Sequence, residues 1–364
     1  MADKSGYIVV AAGGTGGHIF PAYALLKEMV KQRSKMGFLW IGTSRSREGE
    51  LSSSLGIPIV KLKTAGIKRS VSLFNILSLI GMATGFIYMF YRFLFRRPFA
   101  VVGFGGYVSA PVILAAKCLG IPYYLHEQNS VPGMVNRVFS KGAALNFLGF
   151  PLEKSDIPMK GKKLLTGTPV RKPDESYQDY EYPGLINGKG ARVLICGGSQ
   201  GAASMNTALI PVVEKIVEDG VNVVWQTGDY SYDRIRSAAE NLSGVYAERS
   251  FKDLYPYYSW ADIIICRSGA STVSEIALFG KPCILIPLPW SSENHQVFNA
   301  EYVEESGWGI TVTQDDNCSE RVKDALKKIL YDSEKYSAMS EKALEAAKYD
   351  ASSIISDKIL EGKK

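Results

Sequence analysis

An apolar, strand-like run that passes at once into a glycine-rich turn and then into a helix-compatible stretch occurs twice in this chain. That repeat restricts the fold more than any other feature. Tyr7–Ala12 (YIVVAA) leads into GGTGGH, Gly13–His18, and Arg192–Cys196 (RVLIC) leads into GGSQGA, Gly197–Ala202. The stretches that follow are IFPAYALLKEMVK and ASMNTALIPVVEKIVE. A strand, a glycine turn and a helix N-terminus gather unbonded N–H groups and the positive end of a helix dipole at one point, and glycine lets an anion come close. Two such units point to an α/β chain with two Rossmann-like halves facing a cleft.

A dinucleotide fingerprint, G-x-G-x-x-G, fits poorly. After Gly14 and Gly16 it needs a third glycine where Ile19 stands. It also needs an acidic residue at the end of the next strand, where FLWIGTSRSRE offers Gly42, Thr43 and Ser44. With 364 residues, 46% of them hydrophobic, the chain can fill two cores. A net charge of +6, from 42 basic and 36 acidic residues, is a mild excess, and no nucleic-acid partner is expected from it. Cys118, Cys196, Cys266, Cys283 and Cys318 are scattered without a CxxC pair, which suits reduced thiols in a cytosolic compartment, and no metal-ligand set emerges. The opening MADKSGYIVV lacks the apolar core of a signal peptide.

Strands separated by helical lengths run through both halves, which predicts parallel sheets. Candidates in the first half are Tyr7–Ala12, Phe38–Thr43, Ile57–Leu62, Ala100–Phe104, Tyr123–His126, Leu145–Phe150 and Lys163–Thr166. Those in the second are Arg192–Cys196, Val221–Gln226, Val245–Phe251, Ile263–Cys266, Cys283–Pro287 and Trp308–Val312. The pattern breaks at GTPVRKP, Gly167–Pro173, so the domains are expected at 1–168 and 169–345, with a terminal helix over 346–364 returning to the first.

From Val71 to Tyr91 no residue is charged, a length that could span a bilayer. Small or polar residues at Ser72, Asn75, Ser78, Gly81, Gly85, Tyr88 and Arg92 nevertheless fall on one helical face, with Phe74, Leu77, Ile80, Ile87 and Phe90 largely elsewhere. Lys68 and Arg69 precede the segment and Arg92, Arg96 and Arg97 follow. A helix of this kind, over about 71–97, suits docking on an anionic membrane surface. A buried helix or a true span are the other readings.

Each of the three histidines, His18, His126 and His295, lies in a motif-like loop. His18 adjoins the first glycine turn, and an imidazole with an ordinary pKa near 6.5 can take a hydroxyl proton at neutral pH. Glu127 is the other plausible base. In CRSGASTVSE, Cys266–Glu275, another strand–turn–helix start places Ser271 and Thr272 for a diphosphate and Glu275 one turn on for a ribose diol. The same residues could form a capping box. Gln296 and Asn299 follow in a loop beyond the next strand.

GGTGGHIFPA, GFGGYVSAP, HEQNSVPGMVNR, GTPVR, GGSQGA and CRSGASTVSE stand here in the order found in the MurG family, which the chain resembles over nearly its whole length. That family transfers N-acetylglucosamine from UDP-N-acetylglucosamine to lipid I in peptidoglycan synthesis, on a GT-B fold. The resemblance implies that the second domain holds the UDP-sugar. Ser199 and Arg171 would meet its phosphates, and Phe251 would lie against uracil through its backbone. Ala270, Ser271 and Thr272, with Val273 and Ser274, would line the diphosphate; Glu275 would hold the ribose and Gln296 the sugar hydroxyls. The first domain would take lipid I, with Thr15, Gly16 and Gly17 near its diphosphate and Asn129 near its sugar. His18, or else Glu127, would act as base in an inverting transfer. No Asp-x-Asp pair occurs, so no cofactor and no metal are expected. The implied location is the cytoplasmic face of the cell membrane, held peripherally. Another GT-B enzyme, a glycolipid synthase or a nucleotide-sugar epimerase, is the alternative, and a non-catalytic scaffold with a nucleotide pocket a third.

Overall fold

The structure is a computed structural model that describes residues 6–32, 36–43, 46–64, 66, 73–152, 157–174, 177, 180–182, 190–197 and 202–362. The chain forms two compact units, Met1–Val170 with Lys348–Lys364, and Arg171–Ala347.

The first unit is built on β1 (Tyr7–Ala11), β2 (Gly37–Gly42), β3 (Ile59–Lys61), β4 (Ala100–Gly103), β5 (Tyr123–Glu127), β6 (Leu145–Leu148) and β7 (Lys163–Leu165). All neighbours are parallel, in the order β3-β2-β1-β4-β5-β6-β7, with Val9 opposite Leu39 on one side and Val101 on the other. Such strands are unbroken apolar runs because helices cover both faces of the sheet. On one face Ile8, Val10 and Trp40 pack against Leu25, Leu26 and Met29 of α1 (Gly16–Gln32). Beyond it α2 (Ser46–Ser54) connects β2 to β3. On the other face Val9, Ile41 and Val101 meet α3 (Leu73–Phe95) and α4 (Gly106–Cys118). A short α5 (Met134–Phe139) follows β5. Strand order reverses between β1 and β4, so their carboxyl ends diverge and open a crevice where ligands settle in such sheets.

The second unit repeats the scheme with β8 (Arg192–Cys196), β9 (Asn222–Gln226), β10 (Val245–Glu248), β11 (Ile263–Cys266), β12 (Cys283–Leu285) and β13 (Gly309–Thr311). Their order is β10-β9-β8-β11-β12-β13, again parallel, and the switch point lies between β8 and β11. Its helices are α6 (Ala203–Glu218), α7 (Tyr232–Ala239), α8 (Tyr255–Trp260), α9 (Ala270–Leu278), α10 (His295–Glu305), α11 (Cys318–Leu330) and α12 (Ser333–Ala346). Leu209 and Val213 of α6 and Val322 and Leu326 of α11 close the core over Val193, Ile195 and Ile263.

The last helix, α13 (Ala351–Glu361), belongs to the first unit. Ile355 and Ile359 enter the core beside Ile8 and Val10, and Ser353 and Ser356 donate to Glu28 (3.2 Å) and Gln32 (2.9 Å) of α1.

α3 turns one face to the protein, but that face is not made of small residues alone. The large Met89 and Phe93 are buried with Ser78, Gly85 packs on Pro111 of α4, and Tyr88, expected on the small face, is 46% exposed. A Cβ on Gly81 would collide with the Lys63 carbonyl oxygen. Ile76, Leu77, Leu79, Ile80, Ile87 and Leu94 are each more than half exposed. The helix is long and apolar enough, by length and composition, to cross a membrane. Arg97, expected among the lipid-facing cations, instead donates to the Leu119 and Gly120 carbonyls at the end of α4, both at 2.8 Å. Lys68, Arg69, Val71 and Ser72 lie outside the described residues.

Candidate active site

At the carboxyl edge of the first sheet the chain turns from β1 into α1. Gly14 has φ +94°, a conformation that side chains rarely adopt, so only glycine makes this turn without strain. Its N–H donates to Glu48 (3.1 Å), a fully buried carboxylate that also accepts from the Thr43 hydroxyl (2.8 Å). One backbone donor of the first glycine loop is therefore already committed. The Thr15 carbonyl accepts from His18 and Ile19 (both 3.1 Å), and the Thr15 hydroxyl stands 3.2 Å from His18 Nδ1.

The crossover after β4 confines the other side of that imidazole. A Cβ on Gly105 would stand 3.4 Å from His18 Nε2, and one on Gly106 would stand 3.3 Å from Nδ1. Ser109 ties the two loops together by donating to the carbonyls of Ala11 (2.9 Å) and Gly105 (2.6 Å). His18 is half-buried and Thr15 and Gly17 are exposed, so the ring is oriented but reachable.

Glu127 is 2% exposed and accepts four hydrogen bonds, from Asn129 N (3.1 Å), Asn129 Nδ2 (3.4 Å), Gly133 N (2.9 Å) and Asn136 Nδ2 (2.8 Å). Burial raises its pKa and these donors lower it. Three come from the loop that carries Asn129 and the fourth from Asn136 of α5, so the carboxylate ties that loop to the helix after it. Asn136 Oδ1 is buried without a hydrogen-bond partner among the described residues, in the same wall. His126 is fully buried against Phe104, with Nε2 3.1 Å from the Gly167 carbonyl oxygen; burial pulls its pKa down to about 4, so it is neutral and structural.

In the second unit, Gly269 stands at the N-cap of α9 and no side chain caps the helix, so the capping box is not formed. Val273 N donates to the Gly269 carbonyl (3.0 Å) while the Val273 side chain is 1% exposed, which leaves that residue in the core. The first-turn N–H groups of Ala270, Ser271 and Thr272 precede the helix's own bonding. The Ser271 hydroxyl is buried with no hydrogen-bond partner among the described residues. Ser274 is half-buried on the same helix. Glu275 accepts from the Tyr258 hydroxyl (3.2 Å), and burial pushes its pKa up to about 7 against the lowering effect of Tyr258 and Arg171.

Arg171 is paired with Asp253 and lies over the Tyr255 ring, 3.9 Å from its centroid, while the Tyr255 hydroxyl donates to the Arg171 carbonyl (2.8 Å). Phe251 packs on Tyr257 with ring centroids 4.2 Å apart. Gln296 Oε1 accepts from Leu288 N (3.0 Å), and Ser268 donates to the Gln296 carbonyl (2.6 Å). Asn299 is fully buried and donates to the Ser268 carbonyl (3.0 Å). Ser199 lies outside the described residues.

Sequence reasoning missed Glu48, Asn136 and Arg267. Arg267 is 7% exposed and donates to the carbonyls of Ile286 (2.9 Å) and Pro287 (3.1 Å) and to Ser204 Oγ (3.1 Å). Burial lowers its pKa to about 10, so it keeps its charge at neutral pH, beside the starts of α6 and α9. The local signal was an arginine directly after an apolar strand. Among the described residues no three His, Cys, Asp or Glu side chains stand where they could hold a metal ion.

Residues 8–146 match the glycosyltransferase family 28 N-terminal domain and residues 192–355 the corresponding C-terminal domain. The chain is 34% identical over 348 residues to the UDP-N-acetylglucosamine--N-acetylmuramyl-(pentapeptide) pyrophosphoryl-undecaprenol N-acetylglucosamine transferase of Desulforudis audaxviator, covering 91% of this chain and 92% of that protein. It is 35% identical over 353 residues to the protein of the same name from Bacillus licheniformis, covering 95% and 94%. Among solved structures, MurG of Acinetobacter baumannii superposes with a TM-score of 0.76 at 28% identity, over 98% of this chain and 99% of that one. A UDP-GlcNAc 2-epimerase from Neisseria meningitidis gives 0.69 at 15% identity, over 98% and 100%, which shows a shared fold alone. The two α/β units are those of a GT-B glycosyltransferase, and the chain belongs to glycosyltransferase family 28 and, within it, to the MurG family.

Proposed function

We propose that the chain transfers N-acetylglucosamine from UDP-N-acetylglucosamine to the 4-hydroxyl of the N-acetylmuramyl residue of lipid I, with inversion, to form lipid II for peptidoglycan synthesis. One observation favours this over other chemistry on the same fold. Relatives aligned over more than nine-tenths of both chains bear that transferase name, whereas the epimerase shares only the fold. Transfer of labelled N-acetylglucosamine to a lipid I analogue, with matching UDP release, tests it. Turnover of UDP-N-acetylglucosamine to its 2-epimer without acceptor would favour the epimerase reading.

In this reading His18 takes the proton of the acceptor hydroxyl as its oxygen attacks the anomeric carbon, and the bond from that carbon to the diphosphate oxygen breaks. Thr15 steers the imidazole from Nδ1. Asn129 receives the acceptor sugar on a loop shaped by Glu127, and Gly16 and Gly17 admit the acceptor's diphosphate. Charge developing on UDP is met by the start of α9 with Ser271 and Thr272, by Arg171 shared with Asp253, and by Arg267 from below. Glu275 accepts from the ribose diol, Phe251 borders uracil, and Gln296 meets the sugar. These donors are fixed before the reaction, so the chemistry is assigned to the protein without a metal ion or cofactor. Full turnover in excess chelator is expected.

The enzyme is placed peripherally on the cytoplasmic face of the membrane through α3. Its exposed large side chains would enter the headgroup boundary, with Arg92 and Arg96 toward anionic lipid. Sedimentation with anionic vesicles, reversed by salt, is the expected behaviour; extraction only by detergent would point to a span.

A further inference from the structure

At the amino edge of the first sheet, away from the loops that hold His18, lies a cavity of about 420 Å3. Small-molecule sites run from roughly 300 to 1,000 Å3, so it is large enough for a ligand. Val30, Met36, Leu39, Leu55, Ile57 and Pro58 form an apolar wall, and Tyr7, Arg92 and Arg96 line the rest. The Tyr7 hydroxyl donates to the Arg96 carbonyl, the Arg96 guanidinium lies 5.6 Å from the Tyr7 ring centroid, and both guanidinium groups act electrostatically on that hydroxyl. Two cations thus converge on one stretch of wall.

Neither has a carboxylate in ion-pair reach among the described residues. Arg92 Nε is buried with no hydrogen-bond partner among those residues, and the bond from its Nη1 to the Tyr88 hydroxyl is long, at 3.4 Å. A buried N–H left unmet beside a second cation, over an apolar wall, fits an anion that carries an apolar tail. Exposed Tyr91, Leu94 and Phe95 lie on the same turns of α3, so the cavity adjoins the face assigned above to the membrane.

We propose that this cavity binds one anionic glycerophospholipid, its phosphate accepting from Arg92 and Arg96 and one acyl chain lying along Val30, Leu55 and Ile57. The lipid source rests on the docking reading of α3, but the ligand can be tested without a bilayer. Full-length protein is titrated calorimetrically with dihexanoyl phosphatidylglycerol below its micelle concentration, with dihexanoyl phosphatidylcholine, and with inorganic phosphate. One phosphatidylglycerol should bind per chain, with phosphatidylcholine and free phosphate about tenfold weaker or more. Arg92→Gln with Arg96→Gln should weaken binding by about tenfold, and Val30→Trp or Leu55→Trp, which fill the apolar wall, should do the same. Equal binding of phosphatidylcholine or of free phosphate would overturn the proposal. So would undiminished binding by the double glutamine variant and by a tryptophan variant whose melting temperature is unchanged. Ile80→Glu separates this inference from the docking reading. Vesicle binding that survives Ile80→Glu removes docking through α3, whereas absence of monomer binding removes the cavity ligand.

Discussion

In the proposed mechanism His18 and Glu127 divide two roles that either could have filled on residue type alone. One ring is half-buried between two glycine loops, and the other group is a buried carboxylate encircled by four donors. His18→Ala should lower kcat by ~100-fold or more while UDP binds as before, because a general base acts on the transition state and not on the donor. Glu127→Gln should instead lower the melting temperature, since an amide nitrogen would face N–H donors and leave one unmet at about 1–3 kcal/mol. A large kcat loss in Glu127→Gln with unchanged melting would return the base role to Glu127. Glu275 provides a pH test. Its folded pKa of about 7 lies above the ordinary carboxyl range, so the stability it contributes is present at low pH and is lost as pH rises through about 7. In the proposed reading ribose hydroxyls donate to the ionised form, so UDP affinity should rise between pH 6 and 8, and Glu275→Gln should flatten that rise. An unchanged pH profile in the variant would remove Glu275 from the ribose.

The strands were the most legible elements because a parallel sheet covered on both faces needs unbroken apolar runs, and YIVVA, RVLIC and IIIC are such runs. The loops that follow them were legible for the same reason, since a glycine turn has to connect each strand to its helix. The partners that make those loops a site were not. Glu48 reaches Gly14 across 34 positions and Arg267 reaches Ser204 across 63, and no local pattern encodes such a pairing. α3 shows a different limit. Its periodicity separated a small face from a large one, but did not show that Met89 and Phe93 join Ser78 and Gly85 on the buried side while Tyr88 stays exposed. Replacing Gly81 by Leu would force a side chain into the Lys63 carbonyl and should destabilise the first unit by about 1–3 kcal/mol. Leu77→Glu, on the exposed face, should leave the melting temperature unchanged and weaken binding to anionic vesicles. Loss of stability in Leu77→Glu would mean that this face is covered by protein.

Each unit has its own sheet and its own buried core, and the first is assembled from both ends of the chain. Two cores without shared residues should respond separately to perturbations placed in one of them. In the proposed reading UDP binds the second unit and would stabilise it by about 2.7 kcal/mol at a hundredfold excess over Kd, with no direct effect on the other core. Ile355→Ala opens a cavity beside Ile8 and Val10 and should cost the first unit roughly 2–5 kcal/mol. Calorimetry of the full chain should therefore show two transitions. UDP should raise the one belonging to Arg171–Ala347, and Ile355→Ala should lower the other. The assignment can be checked without ligand, since Trp225 and Trp308 are buried in the second unit and Trp40 in the first, so a Trp40→Phe variant reports by fluorescence mainly on the second. If UDP and Ile355→Ala shift a single common transition, the two cores unfold as one and the separate-unit expectation fails.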